Sequence, residues 1–316
     1  MSTLQQFTDY VYRFPECQTC EDTLQALKVE VHRIVPNELE FDIIGLKPYV
    51  VNAIRQTILN DIPTMAIEDV YFHKNTSMFN SDYISQRLAL IPIKADPNDF
   101  KFVQSGDTSK LNSDNSIVFN MTESNSGKDV IKVYTESLVW EPVGEKQSQL
   151  EPIKPLFDKI PLLCLKPTEE ISCRVFCIKG LGRNHMKFSP GFARYCFLSQ
   201  IDLTGCANFS NDMALKLQAS FPPGVIKLNQ MPGGKLVPTV DNARMDRHSR
   251  SFRNFEDIEK NISVKYYRDH MIFTVESYGV IEPEKMVISS LSILKYKYTL
   301  WRNHITNVKN AAIKKA

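Results

Sequence analysis

The chain has 316 residues, 43% hydrophobic and 23% charged, with a formal net charge of +2. These values sit near globular averages, and at this length folding hides roughly 75% of the unfolded chain's surface, enough for one large domain or two smaller ones. They exclude a disordered chain, and no apolar run is long enough for a spanning helix. Lys and Arg are scattered, apart from a tail at Lys309, Lys314 and Lys315, which argues against a binder that works mainly through phosphates.

The N-terminus, MSTLQQFTDYVYRF, has neither a basic n-region nor an apolar h-region, so no signal peptide is expected. Residues 1–23 are mixed and polar and read as an arm, flexible by expectation. LKVEVHRI and LEFDII alternate around Pro36-Asn37, the pattern of a β-hairpin. Gly45 closes the second strand, and Pro48 suits the first turn of a helix over 48–60. That helix is expected to bury Val50, Val51, Ala53, Ile54 and Ile58 and to turn Asn52, Arg55, Gln56 and Leu59 outward. AIEDVYFH is a strand, and SDYISQRLAL a short helix capped by Ser81 or Asp82.

The middle is looser. Residues 105–116 and 141–155 read as polar loops, and SIVFNMTE and DVIKVYTE as a strand pair around Ser124 to Lys128. EEISCRVFCIKG, ARYCFL and PPGVIKL are further strands. Together, 73–257 reads as a β-rich domain. Towards the end, NISVKYYRD and MIFTVES are expected to form a hairpin at Asp269-His270, followed by a long helix. Its apolar positions Val287, Leu291, Leu294, Tyr298, Trp301, Ile305 and Val308 alternate in steps of four and three. This is an a/d stripe, suited either to the chain's own sheet or to a partner helix.

Catalytic patterns are missing. Neither GGKL (233–236) nor GKD (127–129) completes a P-loop, and KGLGRNHMKF (179–188) lacks the third glycine of a dinucleotide loop. MDRHS brings Asp246, His248 and Ser249 together without a nucleophile elbow. Cys17 and Cys20 have no second pair at zinc spacing, and Cys173 and Cys177 fall on one strand face as core residues. The seven cysteines fit a reducing compartment. No metal or cofactor site is expected.

The stretch FDIIGLKPYVVNAIRQTILNDIPTMAIEDVYFHKNTSMFNSDYISQRLALIPIKADP resembles the signature block of the alpha-like subunits of nuclear RNA polymerases. CIKGLGRNHMKFSP, FPPGVIKL, NARMDRHSRSFRN and YYRDHMIFTVESYGVIEPEKMVISSLSIL follow in the family's order, so the resemblance covers about residues 24–297. Within the family the chain is most similar to the larger alpha-like subunit shared by polymerases I and III. The polymerase II paralogue, the sibling alternative, carries a zinc-binding cysteine cluster where this chain has no cysteine between Cys20 and Cys164. Archaeal relatives often insert a ferredoxin-like cluster domain near the position of Cys206, which a single cysteine cannot hold. Gln56 replaces the family's usual second Arg, Gln86 a common His, Ala89 a common Gly and His248 an aromatic.

The resemblance implies an α+β fold. A discontinuous alpha-like dimerisation domain of hairpins and helices (24–72 plus 258–316) would carry the β-rich domain (73–257) as an insertion. It implies a non-catalytic assembly subunit that pairs with a smaller alpha-like subunit and seats the second-largest and largest polymerase subunits. The setting would be rRNA, tRNA and 5S RNA transcription in the nucleus, including the nucleolus, without direct nucleic-acid or membrane binding. Val287, Leu291, Leu294, Tyr298, Trp301 and Ile305 would form the dimer interface. Asn52 and Arg55, with Arg87, His185 and Lys187, would face a large subunit. The alternative from another class is a nucleotide- or nucleic-acid-binding enzyme built on the 179–188 loop.

Overall fold

The computed structural model describes residues 10–11, 20–103 and 111–313. Most of the expected N-terminal arm therefore lies outside the described residues. The elements in chain order begin with β1 (Tyr10–Val11), α1 (Cys20–Ala26), β2 (Lys28–Val35), β3 (Glu38–Ile44), α2 (Pro48–Asn60), β4 (Pro63–Asn75) and α3 (Ser81–Ala89). Next come β5 (Ile93–Lys94), β6 (Ser116–Ser124), β7 (Ile131–Tyr134), β8 (Val139–Glu141), α4 (Gly144–Ser148), β9 (Lys154–Pro155), β10 (Pro161–Leu165) and β11 (Glu170–Leu181). The last are β12 (Gly191–Asp202), α5 (Asn211–Ala219), β13 (Ile226–Gln230), β14 (Leu236–Val240), α6 (Glu256–Glu259), β15 (Ser263–Ser277) and α7 (Pro283–Ile313). The fold is α+β.

By contact density the chain separates into two units. One comprises Met1–Ile34, Glu40–Asn52 and Arg194–Thr274; the other comprises Val35–Leu39, Ala53–Ala193 and Val275–Ala316. These borders differ from the expected 24–72, 73–257 and 258–316. In particular, β4 crosses residue 72 as one unbroken strand of the sheet around β11.

The first unit is organised on a five-stranded sheet in the order β1-β15-β3-β2, with β12 also paired to β15. The expected N-terminal hairpin is β2–β3, and Gly45 leaves β3 at a φ of +85°, a left-handed conformation that glycine adopts without strain. Its added Cβ would also meet Ala26 O at 2.3 Å. Phe41 and Phe273 pack 5.3 Å apart within this sheet. A satellite core of Phe209, Leu217, Phe221, Val225, Phe252 and Ile258 gathers α5 and α6. Sequence reading misses α5, although Ser210 caps it by accepting from Met213 N at 3.3 Å.

The hairpin expected at Asp269-His270 does not exist. β15 runs straight through as a 15-residue strand. The polar dipeptide mimics a turn in sequence, but both residues are buried. Gly45 N donates to Asp269 O at 2.8 Å, and His270 Nε2 donates to Asp42 Oδ2 at 2.8 Å. With such partners a buried polar residue need not leave the sheet.

The second unit centres on a four-stranded antiparallel sheet, β4-β11-β6-β8. β11 shows the two-residue period: Ile171, Cys173, Val175 and Cys177 are buried and the residues between them are not. They join Ile67, Ile84, Leu88, Ile93, Phe119, Met121 and Leu165 in one core. SIVFNMTE and DVIKVYTE do not pair with each other. β6 is flanked by β11 and β8, while β7 pairs with β10. Asn125 sits at the parting point, buried, donating to Asp129 O and Leu165 O at 2.8 and 2.9 Å. The loop expected over 141–155 contains α4 and β9. The cap of α3 is Asn80, which accepts from Asp82 N at 3.4 Å, in place of Ser81 or Asp82. No helix among the described residues is long and apolar enough to cross a membrane.

Candidate partner interface

α7 opens with Pro283 at its first position, where a missing N–H costs least. Its first turns are seated by Met286 and Ser290, both fully buried. Gly191 makes room for this seat, since an added Cβ would lie 2.2 Å from Glu276 O and 2.9 Å from Met286 Cε. Two turns on, Lys297 pairs with Asp61, a carboxylate whose side chain is only 9% exposed. Arg183 grips the same carboxylate from the other oxygen. Burial, then the nearby Arg183 charge, lowers the Lys297 ammonium from its ordinary value. Beyond this clamp, every residue from Tyr298 to Asn310 is exposed.

The apolar stripe falls beside the seated face. Met286, Ser290, Ile293 and Lys297 face the chain's own body. Of the stripe, only Val287 and Leu294 are half-buried. Leu291, Ile305 and Val308 are exposed, and Tyr298 and Trp301 each keep 66% of their surface in solvent. Intramolecular packing therefore accounts for one face of α7 and leaves the stripe outside.

α2 begins at Pro48 and ends at Asn60, as expected. Its buried face is Val51, Ile54, Thr57 and Ile58, at helical spacing; Val50 and Ala53 are only half-buried. Asn52 and Arg55 are also half-buried, and neither is a free side chain. Gln56 is exposed and accepts from Asn60 Nδ2 at 2.7 Å. The outward polar face is thus narrower than its sequence implies.

The other expected contacts diverge. His185 is exposed. Arg87 is half-buried, donates to Pro161 O and lies 5.9 Å from the Tyr83 ring centre. Lys187 turns inward: its side chain is 8% exposed, its ammonium donates to Ile67 O at 2.7 Å and pairs with Glu68. That geometry gives Lys187 a role in holding this chain together, which corrects its reading as an outward contact.

The 179–188 loop is built for packing. A Cβ on Gly180 would strike the Phe188 ring at 2.6 Å, and one on Gly182 would lie 2.0 Å from Leu59 O. Arg183 N donates to Asn60 O, Asn184 N and His185 N to Leu181 O, and Lys187 N to His185 Nδ1. With these amides occupied, the loop lacks the convergent N–H groups that cradle phosphate. Its glycines serve close approach, Gly180 to Phe188 and Gly182 to the end of α2.

The remaining polar motifs are structural. Asp246 accepts from Ser199 Oγ at 2.5 Å and from His248 N at 3.1 Å. His248 Nε2 donates to Phe197 O at 2.7 Å, and its ring lies 4.5 Å from that of Tyr266. Ser249 bonds Ser251 instead. Burial pushes the Cys173 thiol up to about 11 and that of Cys177 higher still, as for inert core thiols. Arg244 binds both Asp42 and Glu40. Burial alone would raise the Asp42 carboxyl, but bonds from His270 and Arg244 outweigh it and hold it below its ordinary value. Among the described residues, Glu30, His32 and Asp42 bring potential metal-ligand atoms within 4.8 Å of one another. Glu30 already pairs with Lys28, and Asp42 with Arg244 and His270.

Residues 40–298 match the family model described as the RNA polymerase Rpb3/Rpb11 dimerisation domain. The chain is 35% identical over 288 residues to the human DNA-directed RNA polymerases I and III subunit RPAC1, covering 85% of this chain and 82% of that protein. The Saccharomyces cerevisiae subunit of the same name is 32% identical, covering 87% of each chain. The archaeal subunit Rpo3 of Pyrococcus horikoshii is 25% identical, covering 88% of this chain and 98% of that protein. The chain belongs to the Rpb3/Rpb11 family of RNA polymerase subunits, in the group of the larger alpha-like subunit of polymerases I and III.

Proposed function

We propose that this chain is the non-catalytic assembly subunit of DNA-directed RNA polymerases I and III, acting in the nucleus, including the nucleolus, in rRNA, tRNA and 5S RNA synthesis. It pairs with a smaller alpha-like subunit to form a heterodimer on which the second-largest and largest subunits assemble. The dimerisation module is the discontinuous one, 24–72 with 258–316. The adjacency of β3 and β15 in one sheet supports it, because it brings the two chain ends together.

The observation that carries this reading is the uncovered stripe of α7. Full burial of each large apolar side chain contributes about 1.5–3 kcal/mol, and leaving such a row in water marks an interaction surface. Leu291, Tyr298, Trp301 and Ile305, flanked by Val287 and Leu294, form the contact. Asn52 and Arg55 are the candidate contacts to a large subunit, with Arg87 and His185 as secondary candidates. The guanidinium of Arg55 suits carbonyl and carboxylate acceptors of fixed geometry.

The test is affinity purification of the tagged chain from its own cells. Recovery of the largest subunits of both polymerases I and III, with the smaller alpha-like subunit, is the expected result. Recovery of polymerase II subunits alone would reassign the chain to the paralogue, and saturable nucleotide binding by the isolated chain would favour the enzyme alternative.

A further inference from the structure

The charges beside the α7 stripe are one-sided. With Leu291, Tyr298 and Ile305 at position a and Leu294, Trp301 and Val308 at d, the e positions are Lys295, Arg302 and Lys309. All three are exposed, and none pairs with an acid among the described residues. The g positions in the same stretch are Lys297, held by Asp61, and His304, which is exposed. After Glu284 the sequence contains no Asp or Glu.

Two ordinary explanations fall short. Cations favour a helix C-terminus, but that effect fades within the last turn, whereas Lys295 and Arg302 lie well before it. A solvated helix face usually mixes both signs at i,i+4 spacing, and here one sign is missing. In paired helices, e and g charges set partner choice and orientation.

We propose that the exposed stripe of α7, from Leu291 onward, is a charge-coded seam. Its partner is a helix of a different chain that carries Asp or Glu on the heptad positions flanking its own apolar stripe. A second copy of this chain is disfavoured in either orientation. Parallel pairing would set Lys295, Arg302 and Lys309 against Lys297 and His304, and antiparallel pairing would set the three cations against one another. The inference rests on the reading of the stripe as a partner seam and adds the chemistry of the partner.

The experiment uses the full chain co-expressed with the smaller alpha-like subunit. The triple variant Lys295→Glu, Arg302→Glu, Lys309→Glu changes only exposed side chains, so its thermal midpoint should match that of the unaltered chain. Its capture of the partner should weaken roughly tenfold or more, because three attractions become repulsions. The unaltered pair should also weaken as salt rises, and the unaltered chain alone should sediment without an α7-mediated dimer. Undiminished capture by the triple variant, while Leu291→Glu with Trp301→Glu abolishes capture, overturns the charge code and leaves the seam standing. Undiminished capture by both variants overturns the seam as well. A dimer of the chain alone that Trp301→Glu dissolves also overturns the proposal.

Discussion

The two halves of α7 share one helix and one apolar period, yet they live in different environments. Through Lys297 the helix is seated: Met286 and Ser290 are sealed, and Asp61 clamps the last seated turn. From Tyr298 to Asn310 every residue is exposed. Periodicity therefore states that a helix has an apolar side and leaves open whose surface completes it. An isolated helix gains little from propensity alone. The seated half has tertiary contacts to hold it, and the outer half has its continuity with them until a partner arrives.

Substitutions can break this contrast, starting with the exposed stripe. Leu291→Glu with Trp301→Glu should reduce capture of the smaller subunit by about 100-fold or more, since two buried hot-spot positions are worth roughly 2 kcal/mol or more each. The same change should leave the thermal midpoint of the isolated chain within about 1 °C, as both side chains are exposed. A large drop in midpoint would mean that the stripe is packed on its own chain after all.

The seated half should behave in the opposite way. Met286→Ala leaves a void in a sealed site and should cost about 2–4 kcal/mol in chemical denaturation. Partner affinity, measured on the folded fraction, should change much less. Equal losses in stability and affinity would erase the distinction between the halves.

Asp61→Asn sharpens the boundary between them. It leaves Lys297 and Arg183 without their shared carboxylate, both partly in water, so a loss of about 1–2 kcal/mol is expected. Hydrogen exchange should rise in the turns around Lys297 and stay low at Met286. Protection unchanged at Lys297 would remove the clamp from the account.

The smallest effect concerns the first unit, which serves as the control. Asp42 is held below its ordinary value of 3.8 in the folded chain. Its stabilisation is therefore complete above that value and is lost as pH falls through the lower folded value. Arg244→Met removes two of the contacts that hold the carboxyl down, so burial gains weight and the acid loss should begin at higher pH. Thermal midpoints across the acid range would show the shift; coincident profiles would argue that Arg244 does not stabilise the ionised Asp42.

The legible parts of the fold were those with a clean local period. β2 and β3 alternate, α2 starts on Pro48 and ends where expected, and the α7 stripe appears in the spacing of its side chains. The errors share one cause. Asp269-His270 looks like a turn because two polar residues interrupt an apolar run, but both stay in the strand, with Asp42 on the His270 ring and Gly45 on the Asp269 carbonyl, more than 200 residues earlier. Lys187 looks like a surface cation, and only the Ile67 carbonyl and Glu68 turn it inward. SIVFNMTE and DVIKVYTE look like neighbours because they are close in sequence, and strands choose edges by what remains unpaired across the whole sheet.

By itself, the sequence determined the elements with a clean local period, such as β2, β3 and α2, the apolar period of α7, the lack of a complete catalytic motif and, through five ordered blocks, the family. Tertiary structure alone decided which polar groups are buried with partners, which glycines exist for close approach, and which face of α7 stays outside. The physical reason is range. Helical and strand periods are set by neighbours a few residues apart, whereas burial and hydrogen-bond satisfaction depend on groups that meet only once the chain has folded.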